Sequence, residues 1–227
     1  MTLFSLVMVC LFLSTSLGSN VLAQSTIGNV SNSVFLPRVP TQCEMQGDGL
    51  QDQNCTPGEA NPRVSQNNIH STICVPGWSR DERMRYAPLS YTDPLKKELM
   101  KSYGLDPTPE NLRNHELDHL IAIEDGGDPH SVNNLWPQPK EATGIQYSAE
   151  MKDTLENYLH QDVCAGHISL SDARSQLSQD WITNYQNDQT SGNNRFIAGM
   201  IPIIGGSRSN ITPFNPAVEN MTDPDDR

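Results

Sequence analysis

Cations and apolar residues are both scarce in this sequence. Its 227 residues include 15 Lys and Arg against 27 Asp and Glu, so the formal net charge is −12. An acidic surface repels a polyanion, and composition alone therefore argues against a protein that binds nucleic acid. Hydrophobic residues make up only 36% of the chain, which indicates polar extensions around a compact centre rather than one large core.

The first 23 residues contain no charged side chain. Residues 2–17 are almost wholly apolar or hydroxylic, and Val21-Leu22-Ala23 follows. This pattern is typical of a secretory signal peptide cleaved after Ala23, although the usual Lys or Arg at its start is missing. The alternative is an uncleaved anchor, but the apolar run is shorter than the roughly 20 residues that a membrane span needs. We therefore predict a secreted or periplasmic protein with no membrane span in the mature chain.

No two cysteines show the Cys-x2-Cys spacing of a zinc ribbon. Cys10 would leave with the signal peptide, and an even number of cysteines would then remain. In an exported chain this predicts two disulfides, for which three pairings are available. We favour Cys43–Cys55, within one loop-rich segment, and Cys74–Cys164, which would tie the start of the domain to a C-terminal helix. Free buried thiols are the alternative.

Sustained periodicity is confined to the middle of the chain. Residues 24–70 and 188–227 are rich in small polar residues, Gly and Pro, which predicts extended or disordered segments, with an added edge strand at 201–204. Residues 71–187 predict a small α+β domain in the order helix, strand, turn, strand, helix, helix. Caps and breakers give its elements: a helix from Pro94 to Tyr103 capped by Thr92 or Asp93, strands at 116–123 and 134–136 with the second stopped by Pro137 and Pro139, a helix at 149–163, and a last helix capped by Ser169 or Ser171.

Asp118 and His119 form the dipeptide with the clearest chemical potential. A carboxylate can bind a hard divalent cation, and a neutral imidazole can take a proton from water. Phosphodiester hydrolysis needs both functions. Most such dipeptides are surface pairs, and strand alternation sends the two side chains to opposite faces unless the strand is distorted. The context strengthens the hypothesis, because Gly126-Gly127 follows and Asn134 lies 15 residues beyond His119.

Residues 116–135, ELDHLIAIEDGGDPHSVNNL, resemble the core motif of the His-Asn-His (HNH, or His-Me finger) endonuclease superfamily. The segments ICVPGWSR at 73–80, NLWPQP at 134–139 and MKDTLENYLHQDVCAG at 151–166 extend the resemblance to small exported bacterial HNH-like proteins. The resemblance implies a ββα-metal finger core with flanking helices and long irregular extensions. It also implies an exported, metal-dependent endonuclease that cleaves DNA, or RNA as well, with weak sequence specificity.

Three residues take their expected roles from this resemblance. His119 matches the general base, and Asp118 matches the acidic metal ligand before it. Asn134 matches the middle Asn, whose side chain is expected to hold the imidazole of His119 in orientation. Such a contact would leave the other ring nitrogen able to accept a proton.

The helix ligand is where the sequence departs from the family. The superfamily usually supplies His or Asn at the start of the helix, and neither stands there. Glu150 is the candidate in its place, with Lys152, Asp153 and Glu156 as rivals. Mg²⁺ or Mn²⁺ would suit a carboxylate, and Zn²⁺ would suit it less well. The missing ligand leaves open a catalytically inactive module that binds nucleic acid or protein.

Three cations precede the motif in the sequence. Arg80, Arg83 and Arg85 are candidate contacts to the phosphates of nucleic acid, with DNA as the expected partner. The alternative is a solvated helix face. Nothing in the sequence indicates an immunity or inhibitor protein.

Overall fold

A computed structural model describes residues 36–190, so the predicted signal peptide and the predicted strand at 201–204 lie outside the described residues. Within them helices surround a two-stranded antiparallel sheet, and the predicted α+β class is confirmed. The elements are the helices Trp78–Tyr86 (α1), Leu89–Ser102 (α2), Pro109–Asn114 (α3), Ala149–Cys164 (α4), Leu170–Ser178 (α5) and Trp181–Thr190 (α6), and the strands His115–His119 (β1) and Leu135–Pro139 (β2).

The hairpin of β1 and β2 differs from the predicted strands in both of its limits. β1 stops at His119 because a 3₁₀ turn forms at Ile123–Asp125. β2 continues through Pro137 and ends at Pro139, so the expected stop is wrong at Pro137 and agrees with the end of the strand at Pro139. In a sheet of two strands each strand has an outer edge, and proline is tolerated where its missing N–H faces that edge.

The helices follow the predicted periodicity better than the predicted caps. α4 matches its expected span to within one residue. α2 begins at Leu89 and contains Pro94 in its interior, so the expected start is wrong, although Leu95 and Leu99 are buried as predicted. The last predicted helix is divided into α5, whose cap Ser169 accepts a hydrogen bond from the backbone N–H of Asp172 at 3.0 Å, and α6.

Two apolar clusters lie on opposite faces of the hairpin. The larger joins Trp136 of β2 to Leu155 and Leu159 of α4 and to residues of α5 and α6. The smaller joins Leu117 and Leu135 to α2. The hairpin is therefore packed on both faces, with α4 on one side and α2 on the other. Within residues 36–190 no helix has the length and apolar character needed to cross a membrane.

Two disulfides link cysteines that are 12 and 90 residues apart in the sequence. They join Cys43 to Cys55 and Cys74 to Cys164, which are the two favoured pairings. The second connects the segment before α1 to the last residue of α4. Structural disulfides persist in oxidising environments, so the pairs are consistent with an exported protein.

The segment 36–70 belongs to the fold, contrary to the prediction of an extended or disordered stretch. It has little regular structure, but it lies along the loop that joins β1 to β2. Glu59 accepts a backbone hydrogen bond from Asp128 at 2.8 Å, Asn61 donates one to Gly126 at 2.9 Å, and Gly58 donates one to Asn133 at 2.9 Å. The loop between the strands is therefore held from outside by residues that the predicted domain leaves out.

Candidate active site

Asp118 and His119 point to opposite faces of the hairpin. Asp118 pairs across the sheet with Trp136, which packs against α4, whereas His119 pairs with Leu135, which packs against α2. Directly opposed residues of antiparallel strands share a face. Strand alternation thus separates the two groups that the dipeptide brings together in the sequence.

Asp118 is engaged by two donors beneath α4. Its Oδ2 atom lies 2.8 Å from Nζ of Lys152 and accepts a hydrogen bond from the indole N–H of Trp136 at 3.1 Å. The same ammonium donates to the backbone carbonyl of His119 at 3.0 Å and forms an ion pair with Glu156, one turn further along α4. The side chain of Lys152 is 0% exposed. We call Asp118, Lys152 and Glu156 the ion cluster.

The charges in the ion cluster shift two pKa values. Burial lowers the pKa of Lys152, but the charges of Asp118 and Glu156 outweigh burial and raise that pKa above its ordinary value. Burial raises the pKa of Glu156 well above its ordinary value, against the opposing effect of the ammonium. One ammonium thus serves two carboxyl groups, and burial makes Glu156 easier to protonate than a glutamate in water.

The imidazole of His119 is fixed by the loop. Its Nε2 atom lies 3.1 Å from the carbonyl oxygen of Pro129. A carbonyl can only accept, so Nε2 carries the proton, and in the neutral ring Nδ1 carries the lone pair. His119 is half-buried. The hydrogen bond to Pro129 therefore fixes the orientation of the ring and leaves Nδ1 as the basic nitrogen of the neutral imidazole.

Asn134 does not hold the imidazole directly, and the expected contact is wrong. The residue is fully buried, and its amide bonds to backbone groups instead. It accepts from the N–H of Ile121 at 2.9 Å and donates to the carbonyls of Ile121 at 2.9 Å and Asp128 at 3.1 Å. These bonds hold the loop at Asp128, and the next residue, Pro129, contacts the imidazole. Asn134 can therefore position His119 only through the loop.

A glycine and an arginine complete the packing of the loop. A Cβ atom on Gly127 would lie 1.8 Å from the carbonyl oxygen of Ile121, so no other residue fits there without a shift of the backbone. Arg174 of α5 donates to the carbonyls of Asp125 at 3.1 Å and Gly126 at 2.8 Å. The two glycines of the motif therefore serve close packing of the loop.

Sequence reasoning missed the acid that ties the N-terminal segment to this loop. Oε2 of Glu59 accepts hydrogen bonds from Oγ of Ser131 at 2.6 Å and from Nδ2 of Asn133 at 2.8 Å. The segment around Glu59 has no periodicity, so no local signal in the sequence indicates its packing against a loop 72 residues away. Only the tertiary structure brings it to the site.

The side chains of the predicted metal site do not fit a bound ion. Glu150 is exposed, and its Oε2 atom accepts a hydrogen bond from the backbone N–H of Glu141 at 3.0 Å. Asp118 already faces the Lys152 ammonium, which would repel a second cation. In the part of the chain that the structure describes, no three His, Cys, Asp or Glu side chains are arranged to hold a metal ion. The arrangement therefore disfavours a metal held by Asp118 and Glu150.

The candidate phosphate contacts lie together on α1. Arg80 forms an exposed ion pair with Asp81 at 3.3 Å, Arg83 is half-buried and has a partner, and Arg85 is exposed. Nearby acids lower the positive charge of this helix, and Glu82 on the same helix is bound by Arg63. An ordinary solvated helix face accounts for these contacts as well as a phosphate site does.

One buried acid lacks a partner. Neither carboxyl oxygen of Asp125 has a hydrogen-bond partner among residues 36–190, and the residue is 0% exposed. Burial and then the charge of Glu124 raise the pKa of Asp125 well above its ordinary value, although Lys152 and Arg174 act in the opposite direction. Such surroundings favour the neutral carboxylic acid.

Comparison with known proteins gives no match: no family model, no curated protein and no solved structure is significantly similar to the chain. Function is therefore inferred from the residues of the site and from the motif resemblance.

Proposed function

We propose that the chain is an exported enzyme that hydrolyses phosphodiester bonds in nucleic acid, with His119 as its general base. The fixed imidazole of His119 carries this proposal, because a base of known tautomer on a strand end is what water activation requires. The order β1, β2, α4 supports a ββα finger of the His-Asn-His type. The two disulfides support export.

The proposed reaction uses His119 to move one proton. Nδ1 takes a proton from water, the water oxygen attacks phosphorus, and the bond to the leaving oxygen breaks. The leaving alkoxide takes a proton from solvent. Throughout, the Nε2–H of His119 stays bonded to Pro129 O, and this hydrogen bond strengthens when the ring becomes positive. General base catalysis of this kind contributes about 10²–10⁴-fold in rate.

Asn134 and Glu59 act as positioning residues in this proposal. Asn134 fixes the loop through the carbonyl of Asp128, and Glu59 fixes it through Ser131. Pro129 lies between these two anchored residues, so its carbonyl keeps a constant direction toward His119. Catalysis by a general base depends strongly on how well the base is positioned for the attack. Loss of either Asn134 or Glu59 would therefore make the position of the His119 imidazole less well defined.

No step in this reaction passes through a metal ion, because Asp118 and Glu150 do not fit one. The resemblance nevertheless implies Mg²⁺ or Mn²⁺, which supply positive charge to the phosphate in enzymes that hold them. The assay must therefore compare divalent cations with a chelator. Substrates should include both DNA and RNA, since the 2′-hydroxyl of RNA offers a nucleophile that DNA lacks.

The test compares the full mature chain, with its disulfides intact, with a His119→Gln variant. The Gln amide can still donate to Pro129 O but cannot take a proton. We expect cleavage of plasmid DNA or RNA by the wild type and a loss of about 10²–10⁴-fold in the variant. His130→Gln is the matched control, because His130 is exposed and stacks on Tyr91 in the same loop. Near-normal turnover by His119→Gln, or no cleavage of either substrate under any condition, would contradict the proposal.

A second candidate is a finger that binds nucleic acid or protein without cleaving it. The observation that favours it is the ion pair between Asp118 and Lys152, which neutralises the carboxylate expected to hold the metal. If the protein is such a module, the wild type and the His119→Gln variant should bind DNA with the same affinity, and neither should cleave it. A shift in DNA mobility without product formation would support this reading over the enzyme.

A further inference from the structure

The ammonium of Lys152 lies where oxygen ligands converge on the inner face of α4. It has three N–H donors, and three acceptors surround it: Oδ2 of Asp118 at 2.8 Å, the backbone carbonyl of His119 at 3.0 Å, and a carboxyl oxygen of Glu156. Every donor of the ammonium is therefore matched by an oxygen. The cation that these three oxygens surround is thus a side chain of the protein itself.

The chemistry of these acceptors is that of a hard-cation site. Two carboxyl groups and a backbone carbonyl are the oxygen ligands that Mg²⁺, Mn²⁺ and Ca²⁺ select in proteins. The position also corresponds to the place expected for a metal, since it joins the acid of β1 to the helix that follows β2. What differs is the occupant, because Lys152 reaches the carboxylate of Asp118 from within α4.

Burial holds the Lys152 ammonium in place beside the two carboxyl groups. The Lys152 side chain is 0% exposed, and the carboxylates of Asp118 and Glu156 are 9% and 10% exposed. A side chain so enclosed cannot swing into solvent without opening the packing between α4 and the hairpin. A divalent ion approaching Asp118 would therefore meet a fixed positive charge.

We infer that Lys152 is a built-in cation that takes the place of the divalent metal at Asp118, so that this finger folds and persists without bound metal. The inference does not rest on the proposed hydrolysis, because a binding module would carry the same ion cluster. It explains why Glu150, the expected helix ligand, is used elsewhere, as an acceptor for the N–H of Glu141. It also predicts that removal of the ammonium exposes an oxygen site to metal.

The first measurement uses the wild-type chain alone. Mn²⁺ titration followed by electron paramagnetic resonance should show no tightly bound ion, and a chelator or excess Mn²⁺ should leave the unfolding temperature unchanged. One Mn²⁺ bound per wild-type chain, lost in Glu150→Gln or in Asp118→Asn, would overturn the inference. Glu150 is exposed, so its variant is safe for the fold, and the result is independent of any nuclease assay.

The second measurement uses a pair of variants at the cation itself. Lys152→Gln keeps a polar side chain but removes the charge, and Lys152→Arg keeps the charge. We expect Lys152→Gln to gain one Mn²⁺ per chain, with affinity at least about tenfold above that of Lys152→Arg. A folded Lys152→Gln that binds no more Mn²⁺ than Lys152→Arg would overturn the inference. If Lys152→Gln fails to fold, the wild-type titration decides, and failure of the hydrolase proposal leaves both readouts intact.

Discussion

The hairpin of β1 and β2 carries an ion cluster on its α4 face and a network of side-chain hydrogen bonds to backbone groups at its loop end. On the α4 face one fully buried ammonium serves two carboxyl groups that are 9% and 10% exposed. At the loop end the Asn134 amide and the Arg174 side chain satisfy backbone groups one by one. Removing one charge from the ion cluster leaves the other charges buried without a partner, so the whole cluster is destabilised. Removing one side chain from the loop network costs only the hydrogen bonds that this side chain makes.

This difference teaches how one short motif divides its work. Asp118 is bonded beneath α4, whereas His119 is bonded at the loop, where the proposed chemistry would take place. Two residues adjacent in sequence thus serve different tasks because a strand sends them to different faces. This separation is not visible when the two residues are treated as one site.

The largest effect is expected from breaking the ion cluster at Lys152. Lys152→Met leaves Asp118 and Glu156 buried without their cation, which costs about 3–5 kcal/mol in the free energy of unfolding. Urea unfolding near neutral pH, with disulfides intact, measures the loss. Lys101→Met, at an exposed ion pair with Glu98 on α2, is the control and should cost less than about 1 kcal/mol.

A triple variant sharpens this result. Adding Asp118→Asn and Glu156→Gln to Lys152→Met removes the unpaired charges together with the ammonium. The triple variant should be more stable than Lys152→Met alone, because the penalty comes from uncompensated buried charge. Equal instability of both variants would show that packing of the Lys152 stem, and not its charge, supports the face.

A smaller loss is expected from the loop end. Asn134→Ala leaves the N–H and C=O of Ile121 without their partner and frees the carbonyl of Asp128, so the free energy of unfolding should fall by about 1–3 kcal/mol. Asn133→Ala is the matched control, since the side-chain amide of this neighbouring residue is exposed and donates to Glu59. If the two variants lose the same stability, burial of the Asn134 amide is not what closes the loop.

Local patterns in the sequence predict some of this fold well. α4 follows from the spacing of Leu155, Leu159 and their neighbours, because helical periodicity depends only on residues close in sequence. The two disulfides follow from cysteine number and placement in segments that could meet. The α+β class follows from the order of periodic segments.

The arrangement of the site depends on register and distant packing, which no local pattern contains. Lys152 reaches Asp118 because α4 crosses the hairpin at one rotation, and a shift by one residue would turn the ammonium away. The motif resemblance predicts that Asn134 holds the ring, but its amide bonds to the backbone of the loop instead. Glu59 reaches the same loop from a segment that composition alone predicts to be irregular.

Asp125 offers the sharpest contrast with Asp118, because both acids are buried and only one has an ammonium partner. The carboxyl of Asp125 has no hydrogen-bond partner in the described part of the chain, and burial raises its pKa well above the ordinary 3.8. The folded state therefore holds this proton more tightly than the unfolded state. Its contribution to stability is complete below about pH 4 and is lost as the pH rises through the folded-state pKa.

Asp125→Asn should remove this pH dependence, with an effect that begins small and grows with pH. Asn cannot ionise, so the variant should gain stability relative to wild type as the pH rises from about 4 to about 8, with the smallest difference near pH 4. Urea unfolding at several pH values measures the gain, and Asp172→Asn, at an exposed position on α5, controls for loss of a carboxylate alone. If the difference in the free energy of unfolding between wild type and Asp125→Asn is instead constant across this range, a nearby positive charge compensates Asp125. The contrast between a paired and an unpaired buried acid would then disappear.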